Sequence, residues 1–133
     1  MRINSIYIID DDSITIFGLR KILAKFHQSL VIQEFGNGKT ALEALRELQE
    51  QNKTFPEVIF LDINMPVMDG WTFLDEFLKL PNTSMVTIKI ITSSIDIRDR
   101  EKWKSYVTNA KHQIDFITKP IYEMDLQDMQ IAS

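Results

Sequence analysis

The chain has 133 residues, with 15 Lys and Arg against 19 Asp and Glu, and its formal net charge is −4. This length suits one domain with its own hydrophobic core, so we expect residues 1–133 to form a single domain. The acidic balance argues against a nucleic-acid-binding domain, which usually presents a basic face. The absence of cysteine excludes a disulfide scaffold and a thiolate metal site. Because no apolar run approaches the ~20 residues that cross a membrane, we expect a cytoplasmic protein.

Five short apolar runs, each rich in Ile, Val or Phe, predict five β-strands. In chain order they are Ile6–Ile9, Leu30–Ile32, Val58–Leu61, Val86–Ile91 and Ile114–Ile117. All except the second are almost continuously apolar, as is typical of strands that are covered on both faces.

A segment with helical periodicity or helix-like composition follows each of these strands. The apolar positions are Ile16, Leu19, Leu23 and Phe26 in the first, Ala41, Leu45 and Leu48 in the second, Phe73, Leu74, Phe77 and Leu78 in the third, and Tyr122, Leu126 and Met129 in the last. The fourth segment, Asp96–Val107, is mostly charged, and Ser13 is a candidate cap for the first helix. The alternation of strands and helices favours a parallel sheet with helices on both faces.

Polar side chains follow four of the five strands. They are Asp10, Asp11 and Asp12 after the first strand, Asp62 after the third, Thr92, Ser93 and Ser94 after the fourth, and Thr118 and Lys119 after the fifth. Because open parallel α/β sheets bind ligands at the carboxyl ends of their strands, we expect these groups to lie at one edge. Clustered carboxylates repel each other, and a hard cation such as Mg²⁺ relieves that repulsion. With a cation and Lys119 present, the site suits a phosphoryl group, which an Asp carboxylate can accept covalently.

Each of these motifs also has an ordinary structural interpretation. An Asp run after a strand is commonly a turn or a helix cap, Thr92–Ser94 is a candidate cap, and Lys119–Pro120 is typical of a surface loop. We favour the shared site because the ordinary interpretations would have to hold at four strand ends together. His27 and His112 have no His or Cys at ligand spacing, and we interpret both as surface residues.

Taken together, four motifs resemble the receiver domain of two-component response regulators. They are Ile8-Ile9-Asp10-Asp11-Asp12, the stretch from Leu61 to Gly70 (Leu-Asp-Ile-Asn-Met-Pro-Val-Met-Asp-Gly), Ile91-Thr92-Ser93 and Thr118-Lys119-Pro120. The resemblance covers nearly the whole chain. It implies a flavodoxin-like α/β/α sandwich, with a five-stranded parallel sheet in the order 2-1-3-4-5 flanked by five helices.

The resemblance also implies roles for the acidic residues. Asp62 corresponds to the aspartate that accepts the phosphoryl group. Asp11 corresponds to a direct ligand of Mg²⁺ (or Mn²⁺), and Asp10 to a ligand that acts largely through water. Asn64 corresponds to the residue whose backbone carbonyl completes the protein ligands.

Three further positions correspond to the switch of this family. Thr92 matches the hydroxyl that turns toward the phosphoryl group, and Lys119 matches the lysine that pairs with it. Phe116 matches the aromatic switch residue, where a Tyr is more usual. The Lys119–Pro120 bond is often cis in receivers.

The resemblance implies a stand-alone receiver without an output domain. It would take a phosphoryl group from a histidine kinase or phosphotransfer protein and signal by protein–protein contact or phosphorelay. It would catalyse its own phosphorylation and dephosphorylation but act on no external metabolite, nucleic acid or membrane. We expect a downstream protein, or a second copy in a homodimer, to bind the fourth helix, fifth strand and fifth helix.

Trp103 and Tyr106 of the fourth helix lie three residues apart, so they either share an exposed contact face or both pack inward.

Two other functions are compatible with such a fold. A Mg²⁺-dependent phosphatase would use an Asp nucleophile and a second Asp two residues later, but that position is Asn64 here. A pseudo-receiver would act purely as an interaction module. The full set of acidic and basic residues argues against it.

Overall fold

The computed structural model describes residues 3–26, 29–81, 84–108 and 111–132. Its strands are β1 (Ser5–Ile9), β2 (Val31–Phe35), β3 (Val58–Asp62), β4 (Thr87–Thr92) and β5 (Gln113–Thr118). Its helices are α1 (Ser13–Leu23), α2 (Gly38–Glu50), α3 (Gly70–Leu78), α4 (Ile97–Val107) and a C-terminal 3-10 helix (Glu123–Ala132). The strands are parallel in the order β2-β1-β3-β4-β5, which confirms the expected topology.

The sheet separates two hydrophobic layers, because side chains alternate between its faces. In β1, Tyr7 and Ile9 face the layer that includes α2 and α3, whereas Ile6 and Ile8 face the layer that includes α1 and the 3-10 helix. Strands β1, β3 and β4 are buried on both faces, while β5 lies at an edge and is mostly half-buried. Among the described residues, no helix has the length and hydrophobicity needed to cross a membrane.

Strand β2 continues past the apolar run Leu30–Ile32 to Phe35, because an edge strand accepts polar residues such as Gln33 and Glu34. The predicted cap of α1 is wrong: it is Asp12 rather than Ser13, since the Asp12 carboxylate accepts a hydrogen bond of 3.0 Å from the Ile14 amide.

The last helix has 3-10 rather than α geometry. Leu126 and Met129, which are buried, are three residues apart, which brings them onto one face of a helix with three residues per turn. Tyr122 precedes the helix, and its amide donates a 2.7 Å hydrogen bond to the Asp125 carboxylate. The sequence pattern therefore located this element without defining its geometry.

His112 is buried, so its interpretation as a surface residue is wrong. Its Nδ1 accepts a 3.0 Å hydrogen bond from the Val86 amide, and its ring packs against Phe77. Burial lowers the pKa of this imidazole. The side chain thus joins the start of β5 to the approach to β4. His27 lies outside the described residues.

Lys89 is a buried charge in the middle of β4, within a run that otherwise consists of apolar residues and Thr. Its side chain is 2% exposed, and its Nζ lies 2.9 Å from Asp115 Oδ2 and 3.0 Å from Asp128 Oδ2. A buried ammonium needs such partners, because an unpaired one would be very costly. Lys89 therefore ties both β5 and the 3-10 helix to the sheet.

The connection from β3 to α3 is tightly folded. Val67 has φ of 69°, which is unfavourable for a β-branched residue, and the Met68 amide bonds the Pro66 carbonyl across it. At Gly70 an added Cβ would lie 2.3 Å from the carbonyl oxygen of Asp62. Only glycine lets α3 begin this close to the end of β3.

Replacing Gly70 with Ala should lower the free energy of unfolding by about 3 kcal/mol, because the Cβ would collide with backbone that cannot move aside. Gly18→Ala is the matched control in α1, since an added Cβ there meets nothing within 4 Å. That control should raise the free energy of unfolding by about 0.5–1 kcal/mol. Urea unfolding of both variants measures the difference. Equal stability of the two variants would contradict the close approach at Gly70.

Candidate acidic site at the carboxyl edge of the sheet

Three carboxylates lie together where β1 and β3 end. Asp10 and Asp11 follow β1, and Asp62 is the last residue of β3. One oxygen from each side chain lies within 4.8 Å of the others. The cause is the pairing of the two strands, whose register places Ile9 beside Leu61 and so brings the next residues together. Asp10 and Asp62 are buried, whereas Asp11 is exposed to solvent.

Lys119 supplies positive charge to this cluster. Its Nζ lies 3.1 Å from Asp10 Oδ2 and 3.6 Å from Asp62 Oδ1. The loop that carries it follows β5, contains the cis Lys119–Pro120 bond and is attached to β4 by a 2.7 Å hydrogen bond from the Lys119 amide to the Thr92 carbonyl. One ammonium group thus faces two buried carboxylates.

The buried carboxyl groups bind protons more tightly than usual. Burial, and then the charge of Asp10, raise the pKa of Asp62 to about 6, although Lys119 acts in the opposite direction. Burial also raises the pKa of Asp10, against the lowering effects of the Asp12 amide and Lys119. The cluster therefore carries more negative charge than its protein partners neutralise.

The same residues fit a divalent metal ion. Asp10 Oδ1 accepts a 2.8 Å hydrogen bond from the Asp12 amide, but its buried Oδ2 accepts none, although Lys119 lies nearby. A buried acceptor without a hydrogen bond, next to two further carboxylates, suits a hard cation with oxygen ligands. Asp10, Asp11 and Asp62 are the side chains that would hold it.

The other residues singled out from the sequence lie around the cluster at different depths. Thr92 is fully buried at the end of β4, and its Oγ1 accepts a 3.0 Å hydrogen bond from the Ser94 amide. Asn64 is exposed in the loop after Asp62. Phe116 is half-buried in β5 and packs against the Trp103 ring, with the Arg100 guanidinium 5.0 Å from its centroid. Phe116 is thus placed beside α4 rather than among the carboxylates.

A family model described as the response regulator receiver domain matches residues 6–130. The chain belongs to this family. An uncharacterised response regulatory protein of Vibrio cholerae is 31% identical over 115 residues, which are 84% of this chain and 38% of that protein. A protein-glutamate methylesterase/protein-glutamine glutaminase of Methanococcoides burtonii is 31% identical over 113 residues, which are 85% of this chain and 29% of that protein. The receiver domain therefore spans well under two thirds of these relatives.

The fold of this receiver domain also matches solved structures. A two-component response regulator of Cytophaga hutchinsonii is similar with a TM-score of 0.78 and 29% sequence identity, and the match covers 97% of this chain and 95% of that one. The resemblance stated from the sequence motifs is confirmed by these findings.

Sequence reasoning missed a set of contacts beside the acidic site. Ser94 Oγ donates a hydrogen bond to Asp99, and the Trp71 indole donates one to the same carboxylate over 3.3 Å. Trp71 and Asp99 are 28 residues apart, so no local pattern pairs them. The sequence predicts Ser94 as a helix cap or as one of the polar groups at the strand ends, and neither interpretation pairs it with Asp99.

The raised pKa of Asp62 predicts how the metal-free receiver responds to pH. The folded protein holds this proton more tightly than the unfolded chain, so protonation stabilises the fold and stability falls as the pH rises from about 4 through about 6. Over this range, wild type should lose on the order of 2 kcal/mol of unfolding free energy relative to Asp62→Asn. Urea unfolding with chelator at several pH values measures this difference. Parallel pH profiles for the two proteins would show that Asp62 titrates normally.

Proposed function

We propose that this chain acts as a receiver in the cytoplasm, accepting a phosphoryl group on Asp62 from a histidine kinase or a phosphotransfer protein. Receiver domains as a family interact with such donors. The observation that supports the proposal for this chain is the placement of a buried Asp62 beside two further carboxylates and the Lys119 ammonium. That arrangement combines a nucleophile with the charges that a phosphoryl group requires.

The transfer itself requires little proton chemistry. An ionised oxygen of Asp62 attacks phosphorus, the new O–P bond forms, and the P–N bond of the donor phosphohistidine breaks as the imidazole leaves with its electron pair. Lys119 lies close enough to move from Asp62 to the incoming phosphoryl oxygens. Asp10, Asp11 and Asp62 would hold a divalent cation, which when bound would add positive charge beside those oxygens.

The neighbouring residues fit supporting roles in this proposal. Thr92 would turn its hydroxyl toward the phosphoryl group, and Asn64 would offer its backbone carbonyl as a metal ligand. Phe116 would change its exposure as Thr92 turns. Its ring is half-buried, and the Arg100 side chain whose guanidinium lies 5.0 Å from the ring centroid is flexible, which favours such a change.

We propose that the partner or homodimer surface is formed by α4, β5 and the 3-10 helix. Trp103 and Tyr106 pack inward against the core, so they are not the exposed anchors of that surface. Exposed apolar side chains on or beside these elements offer an alternative contact, among them Ile97, Tyr122 and Met124. The downstream protein would bind there when Asp62 carries a phosphoryl group.

The two alternative functions receive less support. A phosphatase needs a general acid or base near its nucleophile, and the Asn64 amide cannot exchange protons in that way. A pseudo-receiver needs no buried carboxylate cluster. Burying like charges destabilises the fold, so the presence of such a cluster favours a functional site. The receiver acts, in our proposal, on no external metabolite.

Incubation with Mg²⁺ and a small phosphodonor such as acetyl phosphate should add one phosphoryl group, labile to hydroxylamine as an acyl phosphate is. Asp62→Asn should remove this labelling, because an amide cannot form the acyl phosphate. Glu43→Gln is the matched control, since it deletes one carboxylate from the exposed side of α2. Intact-protein mass spectrometry measures the product. Labelling of Asp62→Asn at the wild-type rate would place the acceptor elsewhere.

Asp11→Ala should weaken Mg²⁺ binding at least tenfold, since it removes a direct ligand. The metal-free variant should be at least as stable as wild type, because one source of carboxylate repulsion is lost. Asp12→Ala is the control: it removes the α1 cap and should lower stability by about 1 kcal/mol while leaving Mg²⁺ affinity unchanged. Titration followed by tryptophan fluorescence measures both affinities. Unchanged Mg²⁺ affinity in Asp11→Ala would refute its assignment as a ligand.

A further inference from the structure

A continuous chain of hydrogen bonds leads from Thr92 to α3. The Ser94 amide donates to Thr92 Oγ1 over 3.0 Å, and the Ser94 hydroxyl donates to Asp99 Oδ2. The Trp71 indole donates to Asp99 Oδ1 over 3.3 Å. We call Ser94, Asp99 and Trp71 the α3–α4 clasp, because they join the loop after β4, the first turn of α4 and the first turn of α3.

The clasp matters because α4 has, among its described residues, no fully buried one to anchor it, whereas α3 buries five of its nine residues. Besides the clasp, α4 is held to β5 by Trp103, whose ring packs against the core and whose indole donates a 2.9 Å hydrogen bond to the Ile114 carbonyl. It meets α3 through Tyr106, whose ring stacks on Trp71 at 5.6 Å and whose hydroxyl donates to Asp75. A helix held mainly by aromatic and polar contacts separates from its neighbour at a lower free-energy cost than one with fully buried apolar residues.

The Thr92 hydroxyl lies at the point where the clasp meets the acidic site. In the structure its oxygen is engaged by the Ser94 amide. Rotation about χ1 carries that oxygen to another staggered position, which breaks the contact with Ser94. In one rotamer the hydroxyl oxygen accepts the hydrogen bond from Ser94, and in another it would face a group on Asp62; it cannot do both at once.

We propose that the α3–α4 clasp loosens when Asp62 carries a phosphoryl group. When Thr92 turns toward a phosphoryl group, the Ser94 amide loses its acceptor, the Ser94–Asp99 and Trp71–Asp99 bonds loosen, and α4 separates from α3 at Trp71. This inference rests on the proposed function and adds Ser94 and Asp99 as positioning residues of its switch. It locates the first surface change at the junction of α3 and α4.

Thermodynamic linkage gives the proposal a quantitative consequence. If occupation of the Asp62 site loosens the clasp, then loosening the clasp by mutation must strengthen occupation of the site by the same factor. Ser94→Ala keeps the amide but removes the hydroxyl that binds Asp99. This variant should bind beryllofluoride in the presence of Mg²⁺ about fivefold more tightly than wild type. Ser105→Ala in α4 is the matched control, because the Ser105 hydroxyl bonds only the Lys102 carbonyl among the hydrogen bonds described.

The experiment records amide and indole resonances of ¹⁵N-labelled protein during titration with beryllofluoride in Mg²⁺. The Ile63 amide, which bonds Asp62 Oδ1, reports occupation of the site, and the Trp71 indole, assigned by its loss in Trp71→Phe, reports the clasp. We expect both to shift in wild type. In free Ser94→Ala, the Trp71 indole should already lie toward its occupied-state position, and Asp99→Asn provides the same measurement if Ser94→Ala does not fold.

The outcomes separate the two proposals. A shift at Ile63 without one at Trp71, or equal affinities in wild type and Ser94→Ala, would overturn the clasp and leave the proposed function intact. An unmoved Ile63 amide at saturating beryllofluoride would overturn both. If Ser105→Ala bound beryllofluoride as tightly as Ser94→Ala does, the clasp would also be overturned, since any change in this region would then have the same effect.

Discussion

Mutual repulsion between the carboxylates of Asp10, Asp11 and Asp62 is the constraint on which the rest of this receiver domain depends. Two of the three are buried, and burial together with like charge makes their ionised forms unfavourable. Lys119 offsets part of that cost from a loop attached to β4. The rest of the cost is offset when further positive charge enters the site, which is why the proposed function assigns it a cation and then a phosphoryl group.

A destabilised site requires rigid support, and the backbone around Asp62 supplies it. The β3–α3 connection includes a residue with positive φ at Val67 and a helix start that only Gly70 allows. Asp62 itself is fixed by the Ile63 amide, and its strand is buried on both faces. Because packed interiors deform little, the carboxylate stays in place and the response to a new group appears elsewhere.

The element best placed to respond is α4, which has no fully buried residue among those described and is joined to α3 by the clasp and by stacked aromatic rings. The 3-10 helix is attached more firmly, because it buries Leu126 and Met129 and pairs Asp128 with Lys89 of β4. Helix α4 also contacts β5, the edge strand that ends at the Lys119 loop. The molecule thus combines a fixed acidic centre with a more loosely attached helix on one side of the sheet.

Hydrophobic periodicity and strand-end chemistry are local properties, so the amino-acid pattern alone predicts the strand–helix alternation, the parallel sheet and the residues at the strand ends. It also locates Asp62 and Lys119 in motifs specific enough to indicate the family. The burial of His112 and Lys89 could not be predicted in this way, since burial depends on which distant elements cover a residue in the folded protein. The pairing of Asp99 with Trp71 was equally beyond local pattern, because side chains 28 residues apart meet only once the helices pack.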